Sequence, residues 1–167
     1  MEALMRRVRI SLLMLCLPAS LALAGEPLRN WFNDPYFALS AEQPGCPVPA
    51  GPYMTEAERT AESHSRIERG TTCWMTGNCK EPNAYLYDAR IAQAVRERVA
   101  THPALRGTSL WVMVKRRFVW LQGCVQDMQQ GKALEQALQE LPDVERVLVD
   151  VMPGTAGRPP YRLMNAD

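Results

Sequence analysis

Four cysteines and one cationic, aromatic run are the residues of this chain whose types and spacing could do chemistry. Cys46, Cys73, Cys79 and Cys124 can pair as two disulfides in any of three connectivities, or serve with His64 or His102 as metal ligands. Five residues separate Cys73 from Cys79, wider than the short spacing typical of structural zinc, and oxidised cysteines cannot ligate as thiolates. Lys115, Arg116 and Arg117 set three positive charges beside Phe118 and Trp120. Near an anionic surface a basic residue contributes about 1 kcal/mol, and aromatic rings favour the membrane–water interface. The competing reading of this run is a solvated turn that resists edge pairing. His64 lies in a polar stretch and His102 before Pro103, which are solvated or capping positions. No G-x-S-x-G, H-E-x-x-H or phosphate loop occurs, and the acidic residues show no paired arrangement. The chain reads as non-enzymatic, with no cofactor and no metal.

The first residues decide between the two cysteine chemistries. Arg6, Arg7 and Arg9 precede an apolar stretch from Ile10 to Leu23, and Ala22-Leu23-Ala24 supplies the small residues a signal peptidase reads. Residues 1–24 therefore read as a signal peptide, with Cys16 discarded along with it. The stretch is too short for a comfortable span, which needs about 20 apolar residues, and no other run approaches that length. The mature chain is expected in the periplasm, soluble or peripheral on a membrane, without a transmembrane span. In that oxidising compartment disulfides are favoured over metal. Losing Arg6, Arg7, Arg9 and Glu2 takes 19 basic and 18 acidic residues to 16 and 17, a net charge near −1. Such a balance gives no drive toward nucleic acid.

Two dissimilar parts follow. Residues 25–82 form a Pro- and Cys-rich extension with one short helix, which Thr55-Glu-Ala-Glu58 opens as a capping box and Gly70 is expected to end. Residues 83–152 are regular. Asn83 caps a helix to about Thr101, whose core stripe is Ile91, Val95 and Val99, flanked by Ala92 and Leu86. Its charged residues, Asp88 among them, lie mostly off that stripe. With Arg116-Arg117 as the turn, Val114 opposes Val119, Val112 opposes Leu121 and Leu110 opposes Gly123; a slip of one residue destroys this agreement. Asp127 and Gln130 box a second helix bearing Ala133, Leu134, Ala137, Leu138 and Leu141, which Pro142 closes. A last strand carries Val147, Val149 and Val151, parallel to the strand before it. The fold class expected is α+β: an αββαβ sandwich with a three-stranded mixed sheet, two helices on one face, and a disulfide-tied extension. Residues 153–167 read as an extended or mobile tail.

The sheet face away from the helices carries Trp111, Met113, Trp120, Cys124, Leu148 and Met152, too apolar to stand in water. The extension, with Trp31, Phe32, Tyr36, Phe37 and Trp74, is expected to cover it and to be fastened by a disulfide to Cys124. Cys46 is the preferred partner, leaving Cys73 with Cys79; the alternative joins Cys79 to Cys124 and Cys46 to Cys73.

The order helix, hairpin ending in Val119-Trp-Leu-Gln-Gly123-Cys-Val125, helix, Val144-Glu-Arg-Val147 and strand resembles the BON domain of bacterial osmotically inducible and nodulation proteins. The resemblance covers residues 85–152. Gly123 matches the glycine of the V-x-L-x-G-x-V run, and Asp143 to Val147 stand for the GV-x-x-V run. Two departures are Arg116-Arg117, where the family usually has Asp or Asn followed by Gly, and Asp143, where it usually has Gly; both sites favour unusual backbone angles. The resemblance implies a non-enzymatic envelope module that binds phospholipid surfaces, present here in one copy. The expected partner is anionic phospholipid, through Lys115, Arg116, Arg117, Phe118 and Trp120, or else another envelope protein.

Overall fold

The hairpin forms in the register its alternation demands. In the computed structural model, which describes residues 26–164, β2 (Ser109–Lys115) pairs antiparallel with β3 (Phe118–Val125). Val114 opposes Val119, Val112 opposes Leu121, and Leu110 opposes Gly123. Residues 1–24, read as a signal peptide, lie outside the described residues. α3 (Met128–Gln139) leads from β3 to β4 (Arg146–Pro153), which runs parallel to β3. Asp127 accepts the N–H groups of Gln129 and Gln130, and Gln130 reaches back to the Asp127 N–H, so two orphan donors of the helix start are satisfied. Leu134 and Leu138 of α3, with Leu141 just past the helix end rather than on it, meet Ile91, Val95 and Val99 of α2 (Asp88–Val99) and the buried strand residues in one core.

α2 starts later than expected. Asn83 caps a short 3-10 turn, Ala84–Tyr87, before the α-helix begins. The tighter winding rotates Leu86 off the core stripe and leaves it 57% exposed.

The sheet has four strands rather than three. β1 (Tyr36–Ala41), from the extension, pairs antiparallel with β2 and gives the order β1-β2-β3-β4. In a three-stranded sheet β2 would present a row of unpaired backbone groups, and the extension supplies their partners. The register shifts between Ala38 and Ser40, a bulge that breaks the period-2 alternation by which the strand would announce itself. The helix expected in the extension is α1 (Glu56–Met75), opened by the Thr55/Glu58 box. It continues through Gly70, where the sequence reading ends it. Gly70 is buried beneath Asn83, whose side chain lies 2.8 Å from where a Cβ would stand, so this glycine serves close packing.

The second face of the sheet is closed by irregular chain. Cys46 is bonded to Cys124, and Cys73 to Cys79. Tyr36 lies on this face, its hydroxyl donating to the Pro49 carbonyl at 2.6 Å and its ring edge-on to Tyr53. Ala50 and Met54 are buried. The tail is docked through Met164 rather than mobile: the Ala50 N–H bonds the Arg162 carbonyl, the Met164 N–H bonds the Val48 carbonyl, and Tyr161 is buried with its hydroxyl on the Pro47 carbonyl. The aromatic cover is thinner than expected. Phe37 falls on the helix side under the Arg96 guanidinium, Trp74 is 52% exposed, and Trp31 and Phe32 stack with Arg59 and Arg66.

Candidate interaction site

The tip of the β2–β3 hairpin is a two-residue turn with φ of +54° at Arg116 and +66° at Arg117. Left-handed backbone is disfavoured for a side chain as large as arginine, so something must hold the turn. That group is Asp88, whose carboxylate accepts the N–H of Arg116 at 2.7 Å and of Arg117 at 2.8 Å. Asp88 is only 3% exposed, and burial pushes its carboxyl up to about 6, against the two backbone N–H bonds that pull it down. The sequence reading placed Asp88 among the charges off the core stripe; the structure makes it the buried support of the tip. Asp143 is also left-handed, with φ +67°. Its carbonyl accepts the Arg117 Nε–H at 2.8 Å, and its carboxylate takes the Arg90 Nε–H at 3.0 Å.

The structure brings Lys115, Arg116, Arg117, Phe118 and Trp120 together, and their charges are unequally available. Lys115 Nζ lies 2.7 Å from Glu62 of α1. Arg117, with its side chain 15% exposed, lies along Tyr87 and within 4.0 Å of Glu145. Arg116 forms no ion pair among the described residues; its guanidinium sits 4.7 Å from the Phe118 ring centre. Phe118 in turn packs on Trp120 at 5.8 Å.

Sequence reasoning missed the other wall of the site. The last turns of α1 and the loop after it face the tip across a cleft of about 350 Å³ lined by Arg69, Thr72, Thr76, Asn78, Arg116 and Arg117, among others. Arg69 forms no ion pair among the described residues. The Cys73–Cys79 disulfide closes the loop, and Tyr87 accepts the N–H groups of Lys80 and Glu81 on its hydroxyl. α1 is itself anchored by Arg66, bidentate to buried Asp34 at 2.8 Å and stacked between Phe32 and Tyr85. Glu62, one helical turn before Arg66, lies 3.9 Å from it; the stronger partner, Asp34, lies 32 residues away. His102 caps the short turn Pro103–Leu105 by accepting the Ala104 N–H on Nδ1, and His64 lies exposed on α1. No helix of the described residues is long and apolar enough to cross a membrane.

A hairpin and last strand under two helices, with a cationic cleft at the hairpin tip, make a small α+β module. Residues 87–152 match the family model of the BON domain. The glycine of its pattern, Gly123, has φ +137° and packs against the Ser109 carbonyl, where a side chain would collide. No curated protein and no solved structure matches the chain. The BON domain and the two disulfides fit an exported, envelope-associated protein.

Proposed function

We propose that this protein is a non-enzymatic periplasmic module that binds the anionic surface of phospholipid membranes, with the cleft at the hairpin tip receiving the phosphate groups. One observation carries the reading: Arg69 and Arg116, neither engaged in an ion pair among the described residues, line one cleft with Arg117 and with the polar side chains of Thr72, Thr76 and Asn78. Guanidinium groups bind phosphate oxygens in pairs, and hydroxyl and amide donors can complete the shell. Phe118 and Trp120, half-buried beside Arg116, supply the interfacial aromatic part. Lys115 and Arg117 contribute less, because Glu62 and Glu145 already face them.

Flotation with phosphatidylglycerol-rich and with purely phosphatidylcholine vesicles tests this. The expected result is salt-sensitive binding to the anionic vesicles alone, weakened at least tenfold by Arg69→Glu with Arg116→Glu at unchanged melting temperature. Equal binding to both vesicle types, or an unaffected double variant, overturns it. A second reading, docking on another envelope protein, is favoured by the apolar residues Ile67 and Trp74, one stripe of α1 at 73% and 52% exposure. It gains ground where neither vesicle is bound.

A further inference from the structure

The backbone of β4 has one side free. Lys115 and Phe118 flank the two-residue turn, so even-numbered residues of β3 bond to β2 and odd-numbered ones bond to β4. On β4 the even-numbered residues answer them, and the ladder's continuation, the Gly154 N–H on the Val125 carbonyl, keeps that parity. The N–H and C=O groups of Val147, Val149 and Val151 therefore point away from the sheet. The Val147 N–H is taken by Gln139 Oε1 at 2.9 Å, while Val149 and Val151 bond to nothing beyond the strand among the described residues. The opposite edge is different: β1 is six residues long, follows Pro35 and is broken by its bulge. β4 runs eight residues in unbroken register, with no lysine and no proline before Pro153. An edge of this length with free backbone groups recruits another strand.

We propose that this edge takes β4 of a second copy of the chain, antiparallel about a two-fold axis at Leu148, joining two sheets into one. The argument is charge complementarity along the strand. Arg146, Leu148 and Asp150 share the outer face, since Asp150 accepts the Gln122 amide there; Arg146 is exposed and has no ion pair among the described residues. With the axis at Leu148, Arg146 of each copy stands opposite Asp150 of the other, and Leu148 opposite Leu148. Val147 and Val149 then form hydrogen-bonded pairs across the axis. The neighbouring registers fail: an axis at Asp150 sets two carboxylates face to face, and an axis at Val149 sets Arg146 against Met152. Gln139 competes for the Val147 N–H and weakens the association until its amide swings aside.

Sedimentation velocity across a concentration series tests this on the full chain. The protein is expected to dimerise reversibly, Arg146→Asp to weaken the dimer about tenfold by placing carboxylates opposite each other, and Arg146→Asp with Asp150→Arg to restore it. Gln139→Ala is expected to tighten it. Circular dichroism of each variant verifies the fold. A protein monomeric at millimolar concentration both as it stands and as Gln139→Ala overturns the proposal and leaves the edge to a strand of another protein. A dimer indifferent to the single reversal, or not restored by the exchange, overturns it equally.

Discussion

On the helix side of the sheet, Leu110, Val112, Val114, Val119 and Leu121 are completely buried beneath two amphipathic helices. On the other side Trp111, Met113, Trp120 and Leu148 remain half-buried under irregular chain held by the Cys46–Cys124 bond, the Tyr36 and Tyr161 hydroxyls and a few backbone bonds to the tail. The first face is closed by periodic burial, which each helix can direct by itself. The second is closed by segments with little apolar surface of their own, which must be tethered to stay. The same difference separates core from cleft: the helix face fixes the shape of the hairpin, and the extension adds α1, the wall that makes a cleft beside the charged turn.

The largest expected effect removes the tether. Cys46→Ala with Cys124→Ala opens a bond between residues 78 apart, for which the chain-entropy model gives a loss of about 4 to 5 kcal/mol. Urea unfolding of the variant measures it; a loss below about 1 kcal/mol means the cover adheres by packing alone. On the helix face, Leu121→Ala leaves a cavity in the centre of the core and is expected to cost about 3 kcal/mol in the same assay.

Asp88 sharpens the comparison where the helix face and the tip meet. Burial holds its carboxyl at about 6, above its ordinary 3.8, so the folded chain binds this proton more tightly than the unfolded one. The stabilisation is complete below the unfolded value and is lost as pH rises through about 6, an effect of about 2 to 3 kcal/mol at most. Relative to Asp88→Asn, the protein should lose stability between pH 4 and pH 6. A constant difference over that range means that the carboxyl titrates normally. The smallest effect is at the turn itself. Arg116 adopts φ +54°, which asparagine tolerates better, so Arg116→Asn is expected to raise stability by about 0.5 kcal/mol while weakening vesicle binding. A stability gain without loss of binding would separate the turn from the site.

The sequence by itself determined the hairpin register, the Asp127/Gln130 cap, the stripes of α2 and α3 and the parallel last strand, because each is written in a period of a few residues. It also showed that the second face needed a cover, and the resemblance to the BON domain marked Arg116, Arg117 and Asp143 as positions that favour unusual backbone angles. Only the tertiary structure decided what supplied the cover and what the charges would do. β1 owes its strand to the open edge of β2, about 70 residues away, and its bulge erases the alternation that would reveal it. Asp88 is a solvent residue by helical spacing and a buried support by the accident of the turn folding back over it. Lys115 and Arg116 are adjacent and alike in sequence, yet Glu62 neutralises one and the other has no such partner among the described residues. Periodicity is a local property that a short segment imposes on itself. Strand addition and charge pairing depend on which distant groups arrive nearby, and that is settled only when the chain has closed.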